Sequence, residues 1–302
     1  MYEYLYKTLG HQPDRERLCR LPSLLFALGL IYLVIASIQG TIFKYGVEFA
    51  GGTELSVKWE PKDDYVLRET LRKLGVGFSV SGGDRQGIII VTNADDDKKT
   101  IDKIKQKFGQ NIYQERKISS SLGEMTAQKT LVVVGVTFCT IFLYLAVRLN
   151  LFMALSCIAA LIFDLVAVLT LISFLDIVVS LPTIGAVLAI AGYSINDSVV
   201  VSSKIKQLQR RNPQIDLSLV TDQALIDTLR RSIRTSVSTI LVAICISVFS
   251  EPPINHVGII IIAGVFFGTF SSLFIVPLIN RMTGLKSNHL IPELTPSKNG
   301  DL

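Results

Sequence analysis

The sequence predicts a polytopic α-helical membrane protein: six transmembrane helices, with one exoplasmic α+β ferredoxin-like domain between the first and the second. Three observations lead there. The chain of 302 residues is 49% hydrophobic and only 18% charged, with a mean hydropathy of +0.46. Its charges fall in blocks separated by long apolar runs, and six of these approach the ~20 residues needed to cross a hydrocarbon core. One charged, glycine-bearing stretch, 44–126, interrupts the series after the first run.

Residues 1–20 are polar and carry Lys7, Arg15, Arg17 and Arg20, which sets them as a cytoplasmic segment before a first span over 21–43. No small-residue cleavage site follows that run, so it reads as a retained span rather than a signal peptide. Within 44–126 the pattern changes to short elements. Thr53–Trp59 alternates like a strand, Asp63–Leu74 has helical spacing, and Phe78–Ser81 and Gly87–Thr92 flank the turn Gly82-Gly83-Asp84. Asp95–Phe108 is helical, with acidic residues in its first turn, and Asn111–Ser119 closes as a strand. The order β-α-β-β-α-β is that of a ferredoxin-like domain.

Five more spans occupy 127–285, at about 127–147, 152–175, 181–203, 232–250 and 256–280, with a polar cytoplasmic loop 204–229, part of it helical and turning at Asn212-Pro213, and a cytoplasmic tail 286–302. The short connections Arg148-Leu149-Asn150 and Asp176–Ser180 make their flanking spans antiparallel neighbours. Arg148, Lys204, Lys206, Arg210, Arg211, Arg230, Arg231, Arg234, Arg281, Lys286 and Lys298 fall on one side, while the turns 176–180 and 251–255 hold no Lys or Arg. By the positive-inside rule both termini are cytoplasmic and the 44–126 domain is exoplasmic. The net charge of +5 follows from those flanks, and no aromatic-basic platform points to nucleic acid. Of the four cysteines, Cys139, Cys157 and Cys245 lie in apolar runs and Cys19 just precedes one, so no disulfide framework is expected.

Ionisable residues within lipid depth are costly, about 2.5–3.5 kcal/mol for an aspartate near a helix centre, and their default reading is functional. Asp164 lies midway along the third span and Asp197 in the fourth, within Gly192-Tyr193-Ser194-Ile195-Asn196-Asp197-Ser198. Arg231 opens the fifth span at a depth Asp197 can share. Ser194, Asn196 and Ser198 surround Asp197 in sequence, and Arg231, Thr235 and Ser238 form a polar stripe on the fifth span. A carboxylate whose proton affinity depends on the nearness of an arginine can load and release protons as helices shift. The bland counterpart is a polar group that only holds helices together. The loop Tyr45–Thr53, with Gly46, Glu48, Phe49, Gly51 and Gly52, reads as a tight turn with its backbone packed close to a neighbour; it lacks the lysine and following helix of a phosphate loop. Gly264, Gly268 and Ser272 recur at i+4 in the sixth span, a common helix-packing spacing.

Gly46-x-x-Phe49-x-Gly51-Gly52-Thr53 after a first span resembles the glycine-rich signature of the SecD/SecF family. Gly192-Tyr193-Ser194-x-Asn196-Asp197-Ser198 is similar to the fourth-span signature of its SecF members, and Thr228-Leu229-Arg230-Arg231-Ser232-x-x-Thr235-Ser236 to the start of their fifth span. Glu48 stands where an aspartate is usual, Ala50 where a threonine is usual, and Phe163 precedes Asp164 where a histidine can occur. The resemblance implies a six-span half of a twelve-span unit of the RND superfamily, paired with SecD. It implies work with SecYEG, often with YajC, in the inner membrane, where the proton-motive force promotes late translocation of a preprotein. It also implies proton passage near Asp197 and Arg231, no bond made in the polypeptide, and no cofactor; sodium could replace the proton at a carboxylate with hydroxyl neighbours. Competing readings are an RND-like exporter half for a small molecule or lipid, an assembly subunit, and an intramembrane aspartyl protease using Asp164 and Asp197. For the last, the Phe-Asp and Ile-Asn-Asp contexts do not match the Tyr-Asp and Gly-x-Gly-Asp motifs required.

Overall fold

A computed structural model of the chain describes residues 12–40, 42–58, 69, 80–81, 86–91, 101–102, 104–106, 112–211, 213–215, 217–251 and 253–284. The expected helices Asp63–Leu74 and Asp95–Phe108, apart from 69, 101–102 and 104–106, lie outside the described residues, as does the tail.

Helix α1 (Gln12–Ile38) leads into strand β1 (Lys44–Tyr45), a single-turn helix α2 (Val47–Ala50) and strand β2 (Gly52–Lys58). Strands β3 (Val80–Ser81), β4 (Gln86–Val91) and β5 (Ile112–Ile118) complete an antiparallel sheet of order β3-β4-β2-β5. The first long strand, β2, therefore sits inside, between β4 and β5. This is the strand order of a ferredoxin-like chain. Leu55 of β2 and Ile104 are fully buried, and Ile101 is buried.

Helices α3 (Ser120–Arg148), α4 (Leu151–Phe174), α5 (Leu181–Arg211), α6 (Leu217–Phe249) and α7 (Ile254–Gly284) follow. All five are long and apolar enough to cross a membrane, while the apolar part of α1 among the residues searched, Leu24–Ile38, is shorter. The helix α7 is central: it packs on α4, α5, α6 and α1. One core joins Cys157, Ala160 and Leu161 of α4 to Ala191, Ile195 and Val199 of α5, Ala224 and Leu225 of α6 and Val276 of α7. A second joins Val168 and Ile172 to Ile190 and Ile260 nearer the sheet. The outer face of α3, with Leu131, Val136, Leu143 and Val147, is exposed.

The polar stretch 204–229, expected as part helix with a turn at Asn212-Pro213, is helix over most of its described length, because α5 runs on to Arg211 and α6 starts at Leu217. Ile205, Val220 and Ala224 keep apolar spacing through it and are buried, and Lys204 pairs with Asp227 at 2.9 Å. Only the region of Pro213, which cannot continue a helix, turns. The stretch Asp176–Ser180 is also more than a turn. It contains β6 (Val178–Val179), which pairs in parallel with β1, and Lys44 bridges Asp176 at 3.0 Å. This pairing places the α4–α5 connection at the same end as the sheet.

Close approach of α7 to its neighbours depends on its small residues. A Cβ at Gly264 would overlap the Ile190 side chain, and one at Gly268 would lie 3.3 Å from Ser194 Cβ. At Gly258 it would fall 2.6 Å from the Ala243 carbonyl oxygen. Gly264→Ala should therefore lower the thermal unfolding temperature, on the scale of the about 1–3 kcal/mol that overpacking costs. Ile190→Ala in the same chain should recover part of that loss. Simple additivity of the two losses would contradict the contact.

Candidate functional site

Asp164 on α4 has no exposed surface and Asp197 on α5 is buried. Each is held by hydroxyls from other helices. Asp164 Oδ2 accepts from Ser194 of α5 and, at 2.9 Å, from Ser271 of α7. Asp197 Oδ1 accepts from Ser232 of α6 at 2.7 Å, and its Oδ2 from Ser272 of α7 at 2.8 Å. Four helices thus converge on two carboxylates. Ser194 precedes Asp197 by three residues, so the two cages are offset by about 4.5 Å along α5, less than one turn. Among the described residues neither carboxylate is in an ion pair. Asp164 Oδ1 and Ser198 Oγ are buried without a protein partner.

A further hydroxyl group lies on the sheet side of Asp197. Tyr193 OH is 2.9 Å from Ser236 Oγ, which is 2.6 Å from Thr269 Oγ1. Phe163, beside Asp164, stacks on Phe26 of α1 at 6.1 Å and meets Phe267 of α7 edge-on at 6.5 Å. An aromatic seal therefore fills the position next to the carboxylate.

The structure rearranges the expected constellation. Ser194 serves Asp164 rather than Asp197. Asn196 is exposed, one residue step around the helix from the cage. Arg231 does not meet Asp197: it is exposed, and so is Thr235. Thr235 bonds its own helix at Arg231 and Ser232 carbonyls, 3.1 and 3.0 Å away. The inward stripe of α6 is Thr228, Ser232 and Ser236, all buried. One residue of offset turns the face by about 100°, which carries the Arg231 stripe outward. Ser232, Ser271 and Ser272 were not singled out as carboxylate partners. The available signal was the adjacent serine pair in an apolar run, together with the i+4 hydroxyl row 228-232-236.

The glycine-rich loop forms a joint between sheet and helices. Gly46 donates its N–H to Val179 of β6 at 2.8 Å, and Gly51 to Val47 at 2.9 Å. Gly51 has φ +70° and ψ 175°, a region open essentially to glycine alone. A Cβ there would lie 2.7 Å from Ser120 Cα, and one on Gly123 of α3 would lie 2.8 Å from Gly51 N. Gly52 also has a positive φ, at +111°. Phe49 packs on the core shared by α4 and α5, and Thr53 is buried. Glu48, buried on α2, accepts a hydrogen bond from Arg116 of β5 at 3.2 Å, and the same guanidinium nitrogen lies 3.8 Å from the buried Glu54 of β2. One cation thus ties the loop to two strands.

The fold and its two caged carboxylates define a multi-pass helical membrane protein with ionisable groups inside its helix bundle. The family profile "Protein export membrane protein SecD/SecF, C-terminal" matches residues 98–286, and the chain belongs to that family. The protein translocase subunit SecF of Haemophilus influenzae is 28% identical over 281 residues, covering 90% of this chain and 85% of that protein. SecF of Rickettsia bellii is 29% identical over 245 residues, covering 77% and 81%. The fold matches the crystal structure of SecDF, a translocon-associated membrane protein from Thermus thermophilus, with a TM-score of 0.79 at 24% identity. That match covers 91% of this chain and 38% of the SecDF chain, so this chain spans well under half of that protein's length.

Burial lifts the Glu54 carboxyl above the ordinary glutamate value, Glu48 adds to the rise, and Arg116 opposes it. A carboxyl raised in the folded state contributes stability that is complete below its unfolded value and is lost as pH rises through the folded one. Hydrogen-exchange protection of β2 and β5 should therefore weaken from about pH 4.5 upward, and Glu54→Gln should flatten that trend. An unchanged slope in the variant would contradict the assignment.

Proposed function

We propose that this chain is the SecF-like subunit of the Sec protein-export machinery, and that proton occupancy of its caged carboxylates is coupled to helix movement during late preprotein translocation. The observation that carries the coupling is the Asp197 cage: a carboxylate within a membrane-spanning helix, held by hydroxyls from α6 and α7 and lacking a counter-charge among the described residues. The hydroxyls that hold it can donate to an ionised carboxylate or accept from a protonated one, so proton binding and helix packing depend on one another. Asp164, Ser194 and Ser198 belong to the same path, and Asn196 stands on its outer side.

The finer assignments extend the family membership. The apolar part of α1 is the sixth span, continued by residues before Leu24. The basic residues at the Arg148 and Arg211 ends of α3 and α5 mark the cytoplasmic side. The sheet and the β1–β6 joint, at the opposite end, are exoplasmic, and both termini are cytoplasmic in the cell inner membrane. The exposed apolar face of α3 and the outward stripe of α6 suit lipid and a second six-span half, of the SecD kind, with SecYEG and YajC as further partners. Arg231 lies one residue from Ser232 at the level of Asp197. It acts either on a carboxylate of that second half or on Asp197 after α6 turns. The proton is the coupling ion in this reading, with sodium, which a carboxylate with hydroxyl neighbours also suits, as the alternative to test.

Asp197→Asn and Arg231→Ala should leave membrane insertion and partner binding intact and abolish gradient-dependent export into inverted vesicles, with wild-type partners present. Normal export in the Asp197 variant would reject the coupling. Replacing the proton gradient with a sodium gradient should not restore transport.

A further inference from the structure

Ser271 and Ser272 are neighbours on α7, yet they serve different carboxylates. Ser271 Oγ lies 2.9 Å from Asp164 Oδ2 and 3.1 Å from the Gly268 carbonyl oxygen of its own helix. Ser272 Oγ lies 2.8 Å from Asp197 Oδ2 and 2.9 Å from the Thr269 carbonyl oxygen. A hydroxyl has one proton to donate. Each serine therefore has two acceptors in reach and can serve one of them fully.

The choice between them follows from the carboxyl. An ionised carboxylate is the stronger acceptor and draws the serine proton to itself. A protonated carboxyl donates its own O–H to the serine oxygen, and the serine proton then turns to the carbonyl three residues back. Serine back-bonding of that kind bends a helix. The pair sits where α7 is already weak: Pro277 lies inside the helix, and its missing N–H leaves the Leu273 carbonyl, next to Ser272, without its helical donor.

We propose that Ser271 and Ser272 are positioning residues that couple the protonation of Asp164 to that of Asp197 through the local bend of α7. The transport meaning of this coupling rests on the function proposed above; the coupling itself does not. The charged groups on the elements packed here are few. Asp164 belongs to α4 and Asp197 to α5, with Lys204 two turns further along α5. On α6, Arg231 and Arg234 are exposed. On α7, His256 and Arg281 lie about 24 and about 14 Å along the axis from Ser272. Leu24–Ile38 of α1 has none.

The test is infrared difference spectroscopy of the full chain, with its partner subunit, in liposomes titrated between about pH 5 and about pH 9. The carboxyl C=O bands of the protonated groups are assigned with Asp164→Asn and Asp197→Asn. Ser271→Ala should move the Asp164 band alone, and Ser272→Ala the Asp197 band alone. Asp197→Asn should shift the titration midpoint of Asp164 by about one pH unit, and the Ser271→Ala/Ser272→Ala chain should lose that cross-shift. Threonine at both positions keeps the hydroxyls and should restore it. Bands that ignore both single alanine variants, or a cross-shift that survives the double variant, would overturn the proposal. If the double variant does not fold, the two single variants decide by their selectivity. Gradient-independent export with these spectral effects intact would reject the transport function and support the coupling.

Discussion

A carboxylate placed inside a bilayer must be satisfied by the protein around it, and in this chain hydroxyls perform that task. Ser232, Ser271, Ser272 and Ser194 come from three helices and meet Asp164 and Asp197. A hydroxyl can donate to an ionised carboxylate and accept from a neutral one, so the same cage fits both protonation states. An arginine at that distance would hold the carboxylate ionised. The outward position of Arg231 keeps the cage adaptable. The packing around it follows from the same need: helices must approach closely for short serine side chains to reach, and Gly264 and Gly268 give α5 and α7 that approach.

The second constraint is mechanical. Among the described residues the sheet domain meets the bundle through close backbone contacts and small apolar contacts of Val47, Phe49 and Ile118. Gly51 lies against Ser120, Gly123 against the loop backbone, and β1 against β6. Arg116 pins the loop to the strands through Glu48 and Glu54. β5 runs into α3 through Ser119 alone and β6 into α5 through Ser180 alone, so α3 is tied directly to the four-stranded sheet and α5 to the β1–β6 pair.

Much of this was legible in the sequence because periodicity and length are strong signals. The apolar runs located the long helices, the alternation over Thr53–Trp59 located the central strand, and the cost of burying an aspartate singled out Asp164 and Asp197. What depended on rotation about a helix axis was not legible. Arg231 and Ser232 are adjacent in the chain, and only packing decides which of them faces inward. The same holds for Ser194, whose spacing fits Asp197 while its contact is Asp164. Ser272 reads as an ordinary small residue in a packing face, and nothing in its spacing sets Ser271 apart. The β1–β6 pairing joins two-residue strands far apart in the sequence, for which no periodicity exists to read. The polar stretch around Arg211 and Leu217 was legible as part helix with a turn at Pro213, but its charge hid how far the helices continue, since a helix that leaves the bilayer need not stay apolar.

The central claim is that proton occupancy of the caged carboxylates sets the packing of the bundle. Phe174 of α4 and Phe249 of α6 are 70% and 84% exposed at the sheet end, and spin labels there report the separation of these helices. In a cysteine-free background with the partner subunit present, that distance should change between about pH 5.5 and about pH 8. It should remain fixed in the Asp164→Asn/Asp197→Asn chain. A distance indifferent to pH in the wild-type cage, or an equal change in the double variant, would contradict the claim.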